Sequence, residues 1–363
     1  MSALPIPAEI FEVAEYLRDE LEERGWTISE FAEIIGRPIQ TVSEILNGKK
    51  EITVDMAISI AAAFGTTPEL WLNLQNNVKI YKARNSKKGE IRLVERRARL
   101  NGLIPVSKAK ARGWLGDAVN IDQLEIATCQ LLELRSLDEK PKFAIAARRS
   151  NSNEATTPEQ IAWLAHVRFA ASTTQSTSPF DLAALSTLAS ELPRRTSIGP
   201  TSLHQVPKWF AECGVTVVFS EGLTGGRLDG AVTFLANGRP IIALTTRGDR
   251  FDSLIFTLLH EIAHLTLLHI NPDSQSIVDI DVIGDNSDPI EQAADAQAMK
   301  WLFPSGFDFE LSSLQAIRRS AESLGLHPSL IFGQIQRSSG DWKRYRSHIP
   351  KVRPDLSEVG LMV

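Results

Sequence analysis

Hydrophobic positions recur at helical spacing through TLLHEIAHLTLLH, residues 257 to 269, where Leu258, Leu259, Ile262, Leu265 and Leu268 predict a single helix. The same period appears at the start of the chain. Ile10, Ala14, Leu17 and Leu21 mark an amphipathic helix that Gly25 ends. TISEFAEIIG follows, with Thr27 or Ser29 as cap and Gly36 as stop. After the turn Arg37-Pro38, IQTVSEILNG closes at Gly48, and TVDMAISIAAAFG and TPELWLNLQNN are each opened by Thr. Further on, LGDAVNIDQLEIATCQLLEL reads as a helical packing segment, residues 150 to 157 as a polar loop, and PEQIAWLAHVRFAAS as an amphipathic helix whose His166 belongs to surface or core rather than to a ligand set. Runs of β-branched residues at 215 to 220, 231 to 236 and 240 to 245 predict three strands, the last two joined at the hairpin signal Asn237-Gly238. The fold class expected is α+β and mostly helical, with a small sheet packed on the HEIAH helix.

That helix also carries chemistry. His260 and His264 stand four residues apart, about 40° around one face and one turn up. Two imidazoles so spaced can grip one zinc ion, as in the HExxH motif. Glu261 lies beside them, where it could take a proton from a water activated by the metal. A chance match on a buried helix would look the same in isolation, so a third ligand matters. PIEQAADAQAMKWLFP, residues 289 to 304, starts as a helix at Pro289 and sets Glu291 and Asp295 four apart on one face. Glu291 can ligate the metal, and Asp295 can accept a hydrogen bond from the far nitrogen of a ligating His. The alternative is a solvated acidic first turn, which helices favour anyway.

Composition bounds the rest. A chain of 363 residues with 43% hydrophobic and 23% charged residues has room for two or more cores. Cys129 and Cys213 are too few for a disulfide framework, which suits a reducing cytosol, and no leader or apolar run of about 18 residues supports secretion or a membrane span. A cytoplasmic protein is expected. The net charge of −5 is unevenly spread. Residues 1 to 80 hold six Lys or Arg against thirteen Asp or Glu, a net of −7, whereas residues 79 to 113 are strongly basic, with a break at Asn-Ser-Lys-Lys-Gly that predicts a hinge. Arg92, Arg96, Arg97 and Arg99 of that stretch either extend a phosphate footprint, pair with acids of the first helix or lie on a solvated linker helix. Between His269 and Pro289 the chain carries five Asp and no basic residue, and could rim a cleft or simply be solvated.

Two resemblances can now be stated. RLDGAVTFLANGRPIIALTTRGDRFDSLIFTLLHEIAHL with EQAADAQAMKWLFP resembles the ImmA/IrrE family of zinc-dependent endopeptidases. The resemblance is strong over residues 201 to 310 and fades on either side. It implies a zincin-like domain in which His260, His264 and Glu291 hold Zn2+ and Glu261 is the catalytic base. Ala293 stands where many relatives have a second Glu, and Gln297 where they have Phe. LGLHPSLIFGQIQR resembles the tail after such a core; His327 there caps a helix, packs, or faces an oxyanion. VSEILNGKKEITVDMAISIAAAFGTTPELWLNLQ resembles the repressor-type (XRE) helix-turn-helix domain of HigA antitoxins, which implies a dimer on operator DNA and a toxin partner. If the second helix of the pair enters a major groove, Gln40, Thr41 and Ser43 can reach base edges, while Lys49 and Lys50 suit phosphates. The acidic balance of the head leaves open a helical protein-binding module instead.

The resulting expectation is a five-helix DNA-binding domain at 1–78, a basic linker and helical connector at 79–157, and a zinc peptidase domain at 158–350. Its partners would be double-stranded operator DNA, a second copy in a homodimer, and a protein substrate or cognate toxin, with no membrane. Either the metal site cleaves a partner repressor or toxin, or it is a zinc-bound ligand- or partner-sensing module attached to an autorepressor.

Overall fold

The computed structural model describes residues 11–145, 148–149, 156–174, 178–226, 228–270, 277–280, 288–307 and 313–363. They form two compact units, Met1–Arg96 and Arg97–Val363.

The first unit is helical: α1 (Val13–Arg24), α2 (Ile28–Ile34), α3 (Ile39–Leu46), α4 (Val54–Phe64) and α5 (Pro68–Ser86). Its boundaries follow local chemistry. Thr27, Thr53 and Thr67 each accept the backbone N–H three residues on, so unsatisfied donors at three helix starts are met by side chains. Their interior is a cluster of rings, with Phe31, Trp26 and Trp71 packed around Phe64 at 5.0, 5.9 and 5.6 Å. Gln75 on α5 ties the α3–α4 connection down: its side chain accepts from Ile52 N (2.6 Å) and donates to Ile52 O (3.1 Å). The expected break at residues 85–89 is reduced to Lys87, whose N–H still bonds Ala83 O, and α6 (Lys88–Leu103) begins at the next residue. Good helix formers around Asn85 and Ser86 outweigh two weak ones.

The second unit contains α7 (Val106–Ala111), α8 (Ile121–Leu131), α9 (Lys142–Ile145), α10 (Pro158–Thr173), α11 (Leu182–Arg195), α12 (Val206–Glu212), α13 (Phe251–Thr266), α14 (Pro289–Leu302), α15 (Leu314–Leu324), α16 (Pro328–Ser339) and α17 (Arg353–Glu358). Its sheet holds β1 (Arg148–Arg149), β2 (Thr216–Phe219), β3 (Leu228–Phe234), β4 (Pro240–Leu244) and β5 (Ile277–Ile280), in the order β1-β5-β3-β4-β2. β3 and β4 form the antiparallel hairpin, turned at Gly238, and β2 runs parallel to β4.

Side-chain alternation divides the sheet between two cores. Val217, Phe219, Val232, Phe234, Ile242 and Leu244 enter the cluster that contains α13, α14 and α16. Val218, Ala231, Ile241 and Ala243 enter another, around Trp163 and Leu164 of α10. Both faces are therefore covered, and β2 and β4 are buried at every position. Arg168 of α10 reaches across the second core, donating to the Phe234 carbonyl and holding Glu133 with two bonds of 2.9 Å. From Phe251 to Leu265 every residue of α13 except Ser253 is buried. At its start, Asp252 pairs with Arg250 (2.6 Å), and α16 comes so near that a Cβ on Gly333 would lie 2.1 Å from Asp252 Oδ2.

Among the described residues no helix is long and apolar enough to cross a membrane. Most of the acidic stretch between His269 and Pro289 lies outside the described residues, as do residues 150–155; within the former, 277–280 is strand β5. Of the basic stretch, Arg99 pairs with Asp138 at 3.1 Å.

Candidate metal centre and nucleic-acid interface

The centre is built where α14 crosses α13. Asp288 caps α14 through Ile290 N (2.9 Å) and Pro289 fills the first helical position. Glu291, Ala294 and Ala298 then face α13 and are buried, the two alanines having side chains short enough to let the helices close. Ala293 is exposed and Gln297 half-buried, so both departures from the ImmA/IrrE pattern lie off the buried face.

His260, His264 and Glu291 converge, their donor atoms all within 4.8 Å of one another. His260 Nε2 lies 3.1 Å from Glu291 Oε2 and 2.9 Å from His264 Nε2, and His264 Nε2 lies 3.5 Å from Glu291 Oε2. Zinc bonds of about 2.0–2.1 Å in a tetrahedron require edges of roughly 3.3 Å, so a small cation fits this triangle with little movement. The donor chemistry agrees: two imidazoles and a carboxylate suit zinc, and at exposures of 1%, 0% and 3% they stand shielded from water. Burial raises the Glu291 carboxyl pKa, but hydrogen bonds from His260 and His264 outweigh it, and the group is held well below the usual carboxylate range.

Outer partners fix the imidazoles. His260 Nδ1 lies 2.8 Å from Asp295 Oδ1, a contact that orients the ring with Nε2 toward Glu291. Asp295 is held in turn by Arg337 of α16 (2.9 Å), whose guanidinium rests over the Phe256 ring. His264 Nδ1 meets His269 Nδ1 at 3.1 Å. On a continued helix His269 would point about 140° away from His264. Instead α13 ends at Thr266 and Leu268 takes a left-handed conformation, which folds His269 back. Burial lowers the His269 pKa, with the His264 charge adding to the effect. The neutral ring can serve His264 as donor or acceptor.

Glu261 is fully buried. Its carboxylate lies against the backbone of β3, where a Cβ on Gly230 would stand 2.2 Å from Oε1. Glycine is required there for space. His269, Arg337 and Gly230 escape sequence reasoning because each acts through a contact made only in the fold; Gly230 stands just before the strand expected at 231 to 236, and the structure begins that strand earlier, at Leu228. His327 caps α16 through Ser329 N (3.2 Å) and packs edge-on to Phe251. His166 stacks on Trp114, and burial lowers its pKa to about 4.

In the first unit, Val42, Ile45 and Leu46 bury one face of α3, leaving Gln40, Lys49 and Lys50 exposed and Thr41 and Ser43 half-buried. Glu44 lies among them. Gln40 Nε2 donates to Glu44 Oε1 (3.0 Å), Lys50 Nζ stands 3.8 Å from Glu44 Oε2, and Ser43 Oγ accepts from Asn47 (3.3 Å).

The Helix-turn-helix family matches residues 17–71. Antitoxin HigA-1 of Vibrio cholerae is 42% identical over 84 residues, 23% of this chain and 79% of that protein. An uncharacterized HTH-type transcriptional regulator of Haemophilus influenzae is 39% identical over 77 residues, 21% of this chain and 72% of that protein. Pseudomonas aeruginosa antitoxin HigA, solved with the higBA promoter, is 28% identical, covering 23% of this chain and 91% of its own, with a TM-score of 0.22. Through its N-terminal unit, the chain belongs to the helix-turn-helix family that includes HTH-type transcriptional regulators and HigA-type antitoxins.

Proposed function

We propose that the chain is a transcriptional regulator with a homodimeric DNA-binding head at residues 1–78, and that residues 158–350 form a zinc-dependent endopeptidase of the ImmA/IrrE type. Its substrate would be a partner repressor or toxin, and residues 79–157 would connect the two. The observation that carries this reading is the buried His260, His264 and Glu291 triangle with Glu261 next to His260 on the same helix. His260, His264 and Glu291 would hold the ion, with Asp295 orienting His260. When bound, zinc supplies Lewis acidity toward water and the peptide carbonyl. A carboxylate of Glu261 takes the proton from the attacking water and passes it to the leaving amine nitrogen, so that one water is consumed per bond cut. Gly230 lets that carboxylate sit beside the strand without displacing it.

In the head, Gln40, Thr41 and Ser43 would meet base edges and Lys49 and Lys50 phosphates. Glu44 must then exchange its contacts with Gln40 and Lys50 for contacts compatible with DNA. The relatives named HigA and HTH-type regulator support this assignment for the first unit.

A second reading has an observation of its own. Glu261, His260, His264 and Glu291 are each 3% exposed or less, which favours a closed sensing module on an autorepressor. One experiment separates the two. Wild type and Glu261→Gln are incubated with the products of adjacent genes, new termini are read by mass spectrometry, and metal content and operator affinity are measured in parallel. Cleavage by wild type alone, with about one zinc per chain in both proteins, supports the peptidase. Zinc in both with cleavage in neither gives the sensing module. Unchanged cleavage by Glu261→Gln removes the mechanism.

A further inference from the structure

A second site lies in the same unit, apart from the metal centre. A cavity of about 450 Å3 opens between the loop after β2, the start of β3, the turn after β4 and the first residue of α17. Among the described residues Arg112, Arg247 and Arg353 line it with one carboxylate, Glu221, which gives that part of the lining a net charge of +2.

The arginines are held in place around a hollow. Arg353 spends Nε and Nη2 on the Thr246 carbonyl (3.2 and 3.1 Å), and its backbone N–H donates to Asp249 Oδ1 (2.9 Å). Arg112 Nη1 donates to Glu221 Oε2 (2.6 Å), while Glu221 Oε1 stands 3.8 Å from Arg353 Nε, so one carboxylate is shared by two guanidiniums. Arg247 is 3.8 Å from Asp229. At the rim, Lys108 bonds Glu159 (2.8 Å) and Thr224 O (2.9 Å), which fixes the loop without adding charge. Here Arg112, Arg247 and Arg353 surround an open volume, and Arg112 and Arg353, each a planar fork of five donors, share one carboxylate between them. Gly222 and Gly225 keep the loop backbone near the opening, and Leu223 and Leu228 give the cavity an apolar side.

We infer that this cavity binds a small molecule with an oxyanion head, a phosphate or a carboxylate, whose less polar body rests on Leu223 and Leu228. The guanidinium fork matches either head group. The inference goes beyond the peptidase reading and stands if that reading fails. A route to the metal centre exists nonetheless: Leu228 lines the cavity, Gly230 two residues on touches Glu261, and Thr245 bonds the carbonyls of both Leu228 (2.6 Å) and Asp229 (2.9 Å).

The test is calorimetric titration of the full chain with inorganic phosphate and, separately, with succinate, at an ionic strength matched by sodium chloride. We expect one saturable site per chain for at least one probe, and whichever binds names the head group. Arg112→Gln and Arg247→Gln change partly exposed side chains and should fold; each should weaken that binding about tenfold or more. Arg195→Gln, which removes a surface arginine paired with Glu191, should leave it unchanged. No saturation by either probe beyond the chloride control overturns the inference. So does equal affinity in wild type, Arg112→Gln and Arg247→Gln.

Discussion

Single side chains set the centre's tolerance to change, and Gly230 is the sharpest case. Its missing Cβ is the space that Glu261 Oε1 occupies, with Thr257 Cγ2 2.8 Å from the same point. Both neighbours are buried and on α13, so an added methyl has no open space to move them into. Gly230→Ala is expected to destabilise the second unit by about 1–3 kcal/mol, as overpacking does. Because the nearest obstacle is the Glu261 carboxylate, Gly230→Ala should cost less in a Glu261→Ala background. A double-mutant cycle by urea unfolding reads that coupling; strictly additive costs would place the obstruction elsewhere. His269 makes a different kind of contribution. It touches His264 Nδ1, the nitrogen turned away from Glu291, and so acts on ligand orientation rather than on ligand count. His269→Ala should weaken zinc about tenfold or more in a chelator competition while leaving a stoichiometry of one. Unchanged affinity would reduce the His264–His269 contact to packing.

Whole elements position those residues, and α14 does so through its small side chains. Ala294 and Ala298 are fully buried against α13, one and two turns beyond Glu291. Ala298→Leu would push α14 outward, costing about 1–3 kcal/mol and moving Glu291 off the imidazoles. Zinc content should fall sharply while circular dichroism keeps the helical signal; full zinc retention would mean that Glu291 is not held by this crossing. How much of this was legible in sequence depends on the range of the interactions involved. The helices of the first unit were readable because Thr27, Thr53, Thr67 and Gly25 act within a few residues of themselves. His260, Glu261 and His264 were readable because helical geometry alone places them. β1 and β5 were not, being two and four residues long and defined by partners far away in the chain. Nor was the three-layer arrangement: a strand buried on both faces shows no alternation, so nothing in Pro240–Leu244 announces that α10 covers its other side. The reach of α13 was also hidden at both ends, starting earlier, at Phe251, and stopping before His269.

At the scale of the molecule, the two units have separate interiors, one a ring cluster among helices and the other a sheet between two helical layers. A ligand that binds only the native form of one unit stabilises that unit by RT ln(1 + [L]/Kd), about 2.7 kcal/mol when free ligand is a hundredfold above Kd. The His260, His264 and Glu291 triangle lies wholly within Arg97–Val363. Removing zinc should therefore lower the melting temperature of one calorimetric transition and leave the other in place. The larger unit has the larger unfolding enthalpy, so the transition that moves should also be the larger one. Because chelators can act on the solvent as well as the site, His264→Ala is the internal control. It lacks a ligand, and its larger transition should already sit lower and no longer respond to chelator. The smaller transition should coincide in wild type, chelated wild type and His264→Ala. A metal-dependent shift in the smaller transition would locate a metal in the helix-turn-helix unit. A single transition that moves as a whole would show that the two interiors unfold together, against the division at Arg96. No chelator response in either transition would remove zinc from the account of this centre.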